Sequence, residues 1–153
     1  MPVRNIAATR PVNPPGVELV LSEEKLWKGL ELKAREPGLF VPGMKSCTVH
    51  KDEGNKVSRT IVLEKGGEMT EEVTIYDLTI VYFVSNKGHS VANVVSYNEK
   101  DELLLTFSIV GGIPVDPTGG AHLKTPAEWN QAAGKFVQAT IDRIRQLEKE
   151  GRL

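Results

Sequence analysis

The sequence predicts an α+β fold in which a curved, seven-stranded antiparallel sheet wraps around one long C-terminal helix. Three observations predict it. From Lys45 to about Val115 the chain breaks into six short runs rich in Val, Ile, Thr, Tyr and Phe, separated by polar turn signals. A further strand-like run, Val3 to Thr9, precedes them. The stretch from Thr125 to Lys149 carries a full set of signals for a single helix.

The first strand ends at "RPVNPPG", which cannot continue a ladder. In "LSEEKLWKGLELKAREPG", Ser22 is an N-cap and Glu23 and Glu24 suit the positive end of the helix dipole. Leu21 can staple onto Leu26, and Leu26, Trp27, Leu30 and Ala34 recur at helical spacing until Pro37-Gly38 stops the helix. "LFVPGM" then makes a short connection or a second turn of helix, so a short N-terminal helix pair is expected.

The six runs that follow are "SCTVHKD", "KVSRTIVLEK", "EMTEEVTIY", "LTIVYFVS", "SVANVVSY" and "ELLLTFSIV". Turn signals at Glu53-Gly54-Asn55, Gly66-Gly67, Asn86-Lys87-Gly88 and Asn98 to Asp101 keep the connections short, which makes an antiparallel meander. Only the junction between Tyr76 and Leu78 lacks a turn signal, and a bend is placed at Asp77. After the irregular "GGIPVDPTGGAHLK", Thr125 is the next N-cap, Pro126 the first helical residue, and Glu128 completes a capping box. Trp129, Ala133, Phe136, Thr140, Ile144 and Leu147 form one stripe. At ~1.5 Å per residue this helix is roughly 36 Å long, enough to cross a whole sheet. A helix laid across a twisted sheet seldom fills the space beneath it, and pockets form there.

Composition narrows the function classes. The chain of 153 residues carries 19 Lys+Arg against 20 Asp+Glu, a net charge of −1 that makes no electrostatic case for nucleic acid or an anionic membrane. Its 40% hydrophobic and 25% charged residues are ordinary for one soluble globular domain, and a single domain over residues 1–153 is expected. The first twenty residues lack the unbroken apolar core of a signal peptide, and no run approaches the ~20 apolar residues of a spanning helix, so a cytoplasmic location is expected. Cys47 is the sole cysteine, and His50, His89 and His122 are scattered without metal-ligand spacing, so neither a disulfide nor a metal site is expected. His122 is the one histidine placed to guard a pocket mouth. The chain has no P-loop, GxGxxG or GxSxG, and no cofactor is expected.

The candidate site begins with "KVSRTIVLE", residues 56 to 64. Val57, Ile61 and Leu63 alternate as an apolar strand face, and Arg59 shares that face. If Gly66-Gly67 is a two-residue turn, Arg59 lies opposite Thr74, with Glu72 and Tyr76 as diagonal neighbours. A four-residue loop keeps this register, whereas a three-residue loop puts Glu71 in place of Glu72. Three placements remain open. Arg59 and Glu72 pair on the solvated convex face, they form a polar corner of a cavity, or Arg59 has an edge-of-barrel or interface role. A buried arginine without a partner is too costly in any of them. Tyr82 shares a face with Leu78, Ile80 and Val84, and an even-length turn after it would add Asn93, the odd polar residue of "VANVV". A buried asparagine needs partners, which a ligand or the backbone can supply. Phe40, Met44, Phe83, Phe107, Phe136 and Val137 are the natural cavity walls, and ordinary core has the same composition.

The order of elements is that of the helix-grip arrangement. The sequence resembles the START-like (SRPBCC) superfamily that includes the birch-pollen allergen and aromatic polyketide cyclases. More narrowly, "LSEEKLWKGLELKAREPGLFVPGMKSCTV", "MTEEVTIY" and "LLLTFSIVGGIP" resemble the little-characterised AtaL-like branch of fungi and bacteria, one member of which belongs to a secondary-metabolite gene cluster. The resemblance implies a cavity for a small, largely apolar molecule and transfers no catalytic residue. Two functions are therefore carried forward, for a monomer or homodimer. One is a binding module that holds a hydrophobic or aromatic ligand against Phe40, Met44, Arg59, Tyr82, Phe83, Asn93, Phe107 and Phe136. The other is a cofactor-free cyclase, isomerase or dehydratase on a polyketide-like substrate. There Arg59, Tyr76 or Tyr82 would stabilise an enolate, with Glu72 as acid or base.

Overall fold

The computed structural model describes residues 5–113 and 120–153. Val3 and Arg4 of the expected first strand, and residues 114–119 of the irregular stretch, lie outside the described residues. The elements follow the expected order. Strand β1 is Ile6–Pro11, helix α1 is Glu23–Arg35, and a 3₁₀ turn at Pro37–Leu39 stands where the second member of the helix pair was expected. The strands β2 (Met44–Asp52), β3 (Lys56–Leu63), β4 (Gly67–Tyr76), β5 (Ile80–Ser85), β6 (Ser90–Tyr97) and β7 (Leu103–Val110) follow, and helix α2 is Pro126–Lys149.

All seven strands form one antiparallel sheet in the order β1-β7-β6-β5-β4-β3-β2. The meander accounts for six of them. The first strand joins beside the last, which leaves β1 and β2 as edges. Two register shifts in β2, at Met44/Ser46 and Val49/Lys51, bend that edge.

Both helices start as their sequences dictate. The Ser22 side chain accepts from the Lys25 backbone N–H. Thr125 accepts from the Glu128 N–H, while Glu128 accepts in return from the Thr125 N–H at 2.9 Å. The buried face of α2 is Trp129, Ala133, Gly134, Val137, Thr140, Ile141, Ile144 and Leu147. It packs against β1, β7 and α1. The crossing with α1 is close because Gly29 has no side chain there; a Cβ on Gly29 would stand 2.5 Å from a carbon of Ile144. Arg145 fastens the loop between β1 and α1, donating to the carbonyls of Leu19 (2.8 Å) and Val12 (2.5 Å).

The apolar interior divides in two. The main cluster joins both helices to β3 through β7, and a smaller one gathers Ile61, Leu63 and Met69 with Met44 and Cys47. Residues of both clusters line the cavity described next.

Candidate functional site

A cavity of about 320 Å³ lies between the sheet and α2. That is at the small end of the range for small-molecule sites. Phe40, Met44, Phe83, Phe107 and Phe136, all expected as walls, line it, together with Ile61, Met69, Val91, Ile109 and Ile113. Val137 is fully buried in the main cluster instead. Ile113, Lys135 and Phe136 also border a second depression with His122 and Leu123.

The polar end of the cavity is built around Arg59, which is 5% exposed. It does face inward with Val57, Ile61 and Leu63. Its partner is Glu71, not Glu72. Leu63 pairs with Gly67, so three residues separate the strands and Arg59 stands opposite Glu71. Gly67 at φ 72 makes this odd-length turn possible. The expected two-residue turn had an even count, and one residue of difference in parity reverses every side chain of β4. Arg59 Nε and Nη2 donate to Glu71 Oε1 at 3.1 and 2.7 Å. Nη1 donates to the carbonyls of Lys33 (3.1 Å) and Ala34 (2.6 Å) at the C-terminal end of α1. Those carbonyls have no helical partner and carry the negative end of the dipole, so a guanidinium there satisfies both geometry and charge.

Glu72, Tyr76 and Tyr82 consequently stand on the opposite face. Glu72 accepts from the Ser58 hydroxyl at 2.7 Å, and Tyr76 and Tyr82 are 56% and 39% exposed. None of the three lines the cavity. Asn93 does not share Tyr82's face either. Five residues lie between the paired Val84 and Ser90, so Asn93 pairs with Val81 and points inward, fully buried.

The residue that reading the sequence missed is Lys33. It lies on the cavity wall at the last turn of α1, with its amine 4.3 Å from the centre of the Phe107 ring and 5.4 Å from that of Phe83. Nζ donates to Asn93 Oδ1 at 3.0 Å. The Asn93 Nδ2 group is buried with no hydrogen-bond partner among the described residues. Burial, reinforced by the Arg59 charge and opposed by that of Glu71, lowers the Lys33 pKa to about 7. One signal in the sequence points to it. Lys33 follows Leu26 and Leu30 by seven and three residues, at the edge of the apolar stripe of α1. Lys33, Arg59 and Glu71 thus bring three polar side chains from α1, β3 and β4 to the cavity wall beside two aromatic rings, while Asn93 of β6, expected to contact a ligand, stands behind Lys33 and does not line the cavity. This arrangement can hold a polar oxygen of an otherwise apolar molecule. Cys47 packs with the small cluster, and burial raises its thiol pKa, so it remains a thiol at neutral pH. Among the described residues no group of three or more His, Cys, Asp or Glu could hold a metal ion, and no helix is long and apolar enough to cross a membrane.

Residues 6–151 match the family described as acetylaranotin biosynthesis cluster protein L, AtaL. No curated protein matches the chain in sequence. Among solved structures, the di-domain aromatase/cyclase StfQ of the steffimycin biosynthetic pathway superposes with a TM-score of 0.61 at 6% identity, covering 95% of this chain and 51% of that one. The chain spans about half the length of the di-domain aromatase/cyclases it matches. The ZhuI aromatase/cyclase from Streptomyces sp. R1128 has a TM-score of 0.53 at 13% identity over 92% of this chain and 90% of its own. Ara h 8.0201 has a TM-score of 0.54 at 12% identity over 92% and 94%. At such identities these likenesses speak for the fold, and the family match covers nearly all of the chain. The protein belongs to the AtaL family and has the helix-grip fold of the aromatase/cyclases.

Proposed function

We propose that the protein binds a small, largely apolar or aromatic molecule between the sheet and α2, as one ligand-binding domain acting in secondary metabolism. The observation that carries this reading is the cavity itself, about 320 Å³ with aromatic and aliphatic walls and a polar cluster at one end. Phe40, Met44, Phe83, Phe107 and Phe136 are the proposed contacts for the apolar body of the ligand. Lys33 is the proposed contact for its polar oxygen. Arg59 holds the corner in shape, because four hydrogen bonds to Glu71, Lys33 and Ala34 already occupy its guanidinium.

The test is titration with an uncharged fluorescent probe, phenylnaphthylamine, together with competition by naphthalene. The wild type is expected to bind both. Val91→Phe, which fills space on the cavity wall, is expected to weaken binding by about tenfold or more while leaving thermal stability within a few degrees. Absence of probe binding by the folded wild type would overturn the reading.

A second reading, a cofactor-independent cyclase, isomerase or dehydratase, rests on one observation. An amine of near-neutral pKa stands in an apolar cavity, which is where a base or nucleophile is useful at neutral pH. The acid or base of that reading is then Lys33, in place of Glu72 on the outer face.

A further inference from the structure

Lys33 is the one cavity-lining amine that the geometry sets up for covalent chemistry. Its nitrogen lies against Phe107 and Phe83 and is oriented by Asn93 Oδ1. No carboxylate among the described residues comes within ion-pair distance of it, since Glu71 is spent on Arg59. The other cavity lysine, Lys135, is on α2 and exposed. Beside the Lys33 amine stands a buried donor with no partner among the described residues, Asn93 Nδ2.

We propose that the Lys33 ε-amine condenses with the carbonyl group of an aldehyde or ketone ligand seated in this cavity and holds it as an imine. This deepens, and rests on, the ligand-binding reading of the same site. The nitrogen lone pair attacks the carbonyl carbon, and a C–N bond forms as the C=O π pair moves to oxygen. One proton passes from nitrogen to that oxygen, giving a carbinolamine. The C–O bond then breaks, the hydroxyl leaves with a second proton as water, and C=N forms. Amine and carbonyl become imine and water, with no change in oxidation state. An apolar wall favours the dehydrated product and excludes bulk water from it. A protonated amine cannot attack, and here burial and the Arg59 cation, opposed by Glu71, lower the Lys33 pKa to about 7, which raises its neutral fraction at neutral pH. An exposed lysine is neutral in only about one molecule in 2,500 at that pH. Neutral amines near a second cation are the usual nucleophiles of this kind. Among the described residues, Arg59 and Lys135 are the cations on the cavity wall and Glu71 is the anion.

The experiment is reductive trapping with benzaldehyde and cyanoborohydride at pH 7, read by intact mass and by peptide mapping. The expected result is one benzyl group placed first on Lys33, with an initial rate about tenfold or more above that of any exposed lysine. Excess naphthalene should slow this labelling, and Lys33→Met, checked for folding by circular dichroism, should lose it. Labelling spread over exposed lysines, or unchanged by Lys33→Met, overturns the imine. If the wild type also binds naphthalene in that case, the ligand-binding reading stands and the imine alone fails. If the wild type binds no naphthalene, both fail together. The wild-type peptide map decides the matter even if the variant does not fold.

Discussion

A guanidinium set in an apolar strand face must place five N–H groups, and Arg59 makes four hydrogen bonds, two to Glu71 and two to the end of α1. Its presence in "KVSRTIVLE" follows from where that helix ends, above the inner face of the sheet. The cost of burying the charge is offset because the carboxylate and the helix carbonyls compensate it together. Removing the carboxylate leaves the buried cation with the helix carbonyls alone, so Glu71→Gln is expected to lower stability by up to about 3–5 kcal/mol. Glu72→Gln, on the solvated face, should cost less than about 1 kcal/mol. Urea denaturation midpoints of the two variants check this, and equal losses would contradict the register of β3 against β4. That an arginine interrupts the apolar face was legible in the sequence. Which glutamate it meets was not, because the choice turns on a single residue in the loop.

Helices were the most legible elements, since their stop and start signals are local. The capping box of α2 involves residues only three apart, and both ends of the helix fall where the sequence places them. The strands were legible as elements but not in their faces. Loops of three and five residues, after β3 and β5, reverse the faces that even-length turns would give. Where two elements must touch, a glycine marks the place. Gly29 meets the Ile144 side chain at the crossing of α1 and α2. Gly29→Val is expected to push the helices apart and destabilise by about 1–3 kcal/mol, measured by thermal or urea unfolding. A neutral effect would mean that Ile144 can move aside freely.

At the scale of the whole molecule, stability should carry the signature of the buried amine. In the unfolded chain Lys33 keeps its proton to about pH 10.4, but in the folded protein it releases it near 7, with Arg59 adding to the depression and Glu71 opposing it. Between these values the unfolded state binds more protons, so stability rises with pH across that window. Below pH 7 the cost of burial is complete. Lys33→Met is therefore expected to stabilise most at pH 6, on the order of 4–5 kcal/mol, from the gap between about 10.4 and about 7 at about 1.4 kcal/mol per pH unit. The gap should close toward pH 10, as paired denaturation curves at pH 6, 8 and 10 will show. A gap that does not change with pH would mean that Lys33 titrates normally.

The sequence by itself determined the elements, their order, the caps of both helices and the aromatic walls of a cavity. Those features depend on local periodicity, turn chemistry and the alternation of apolar residues, all written within a few positions of each other. The tertiary structure alone decided the polar end of that cavity. Lys33 comes from a helix, and Arg59, Glu71 and the Asn93 that stands behind Lys33 from three strands, as many as 60 residues apart. What joins them is where α1 ends over the sheet and how many residues each hairpin loop contains. Neither depends on the side chains that meet there.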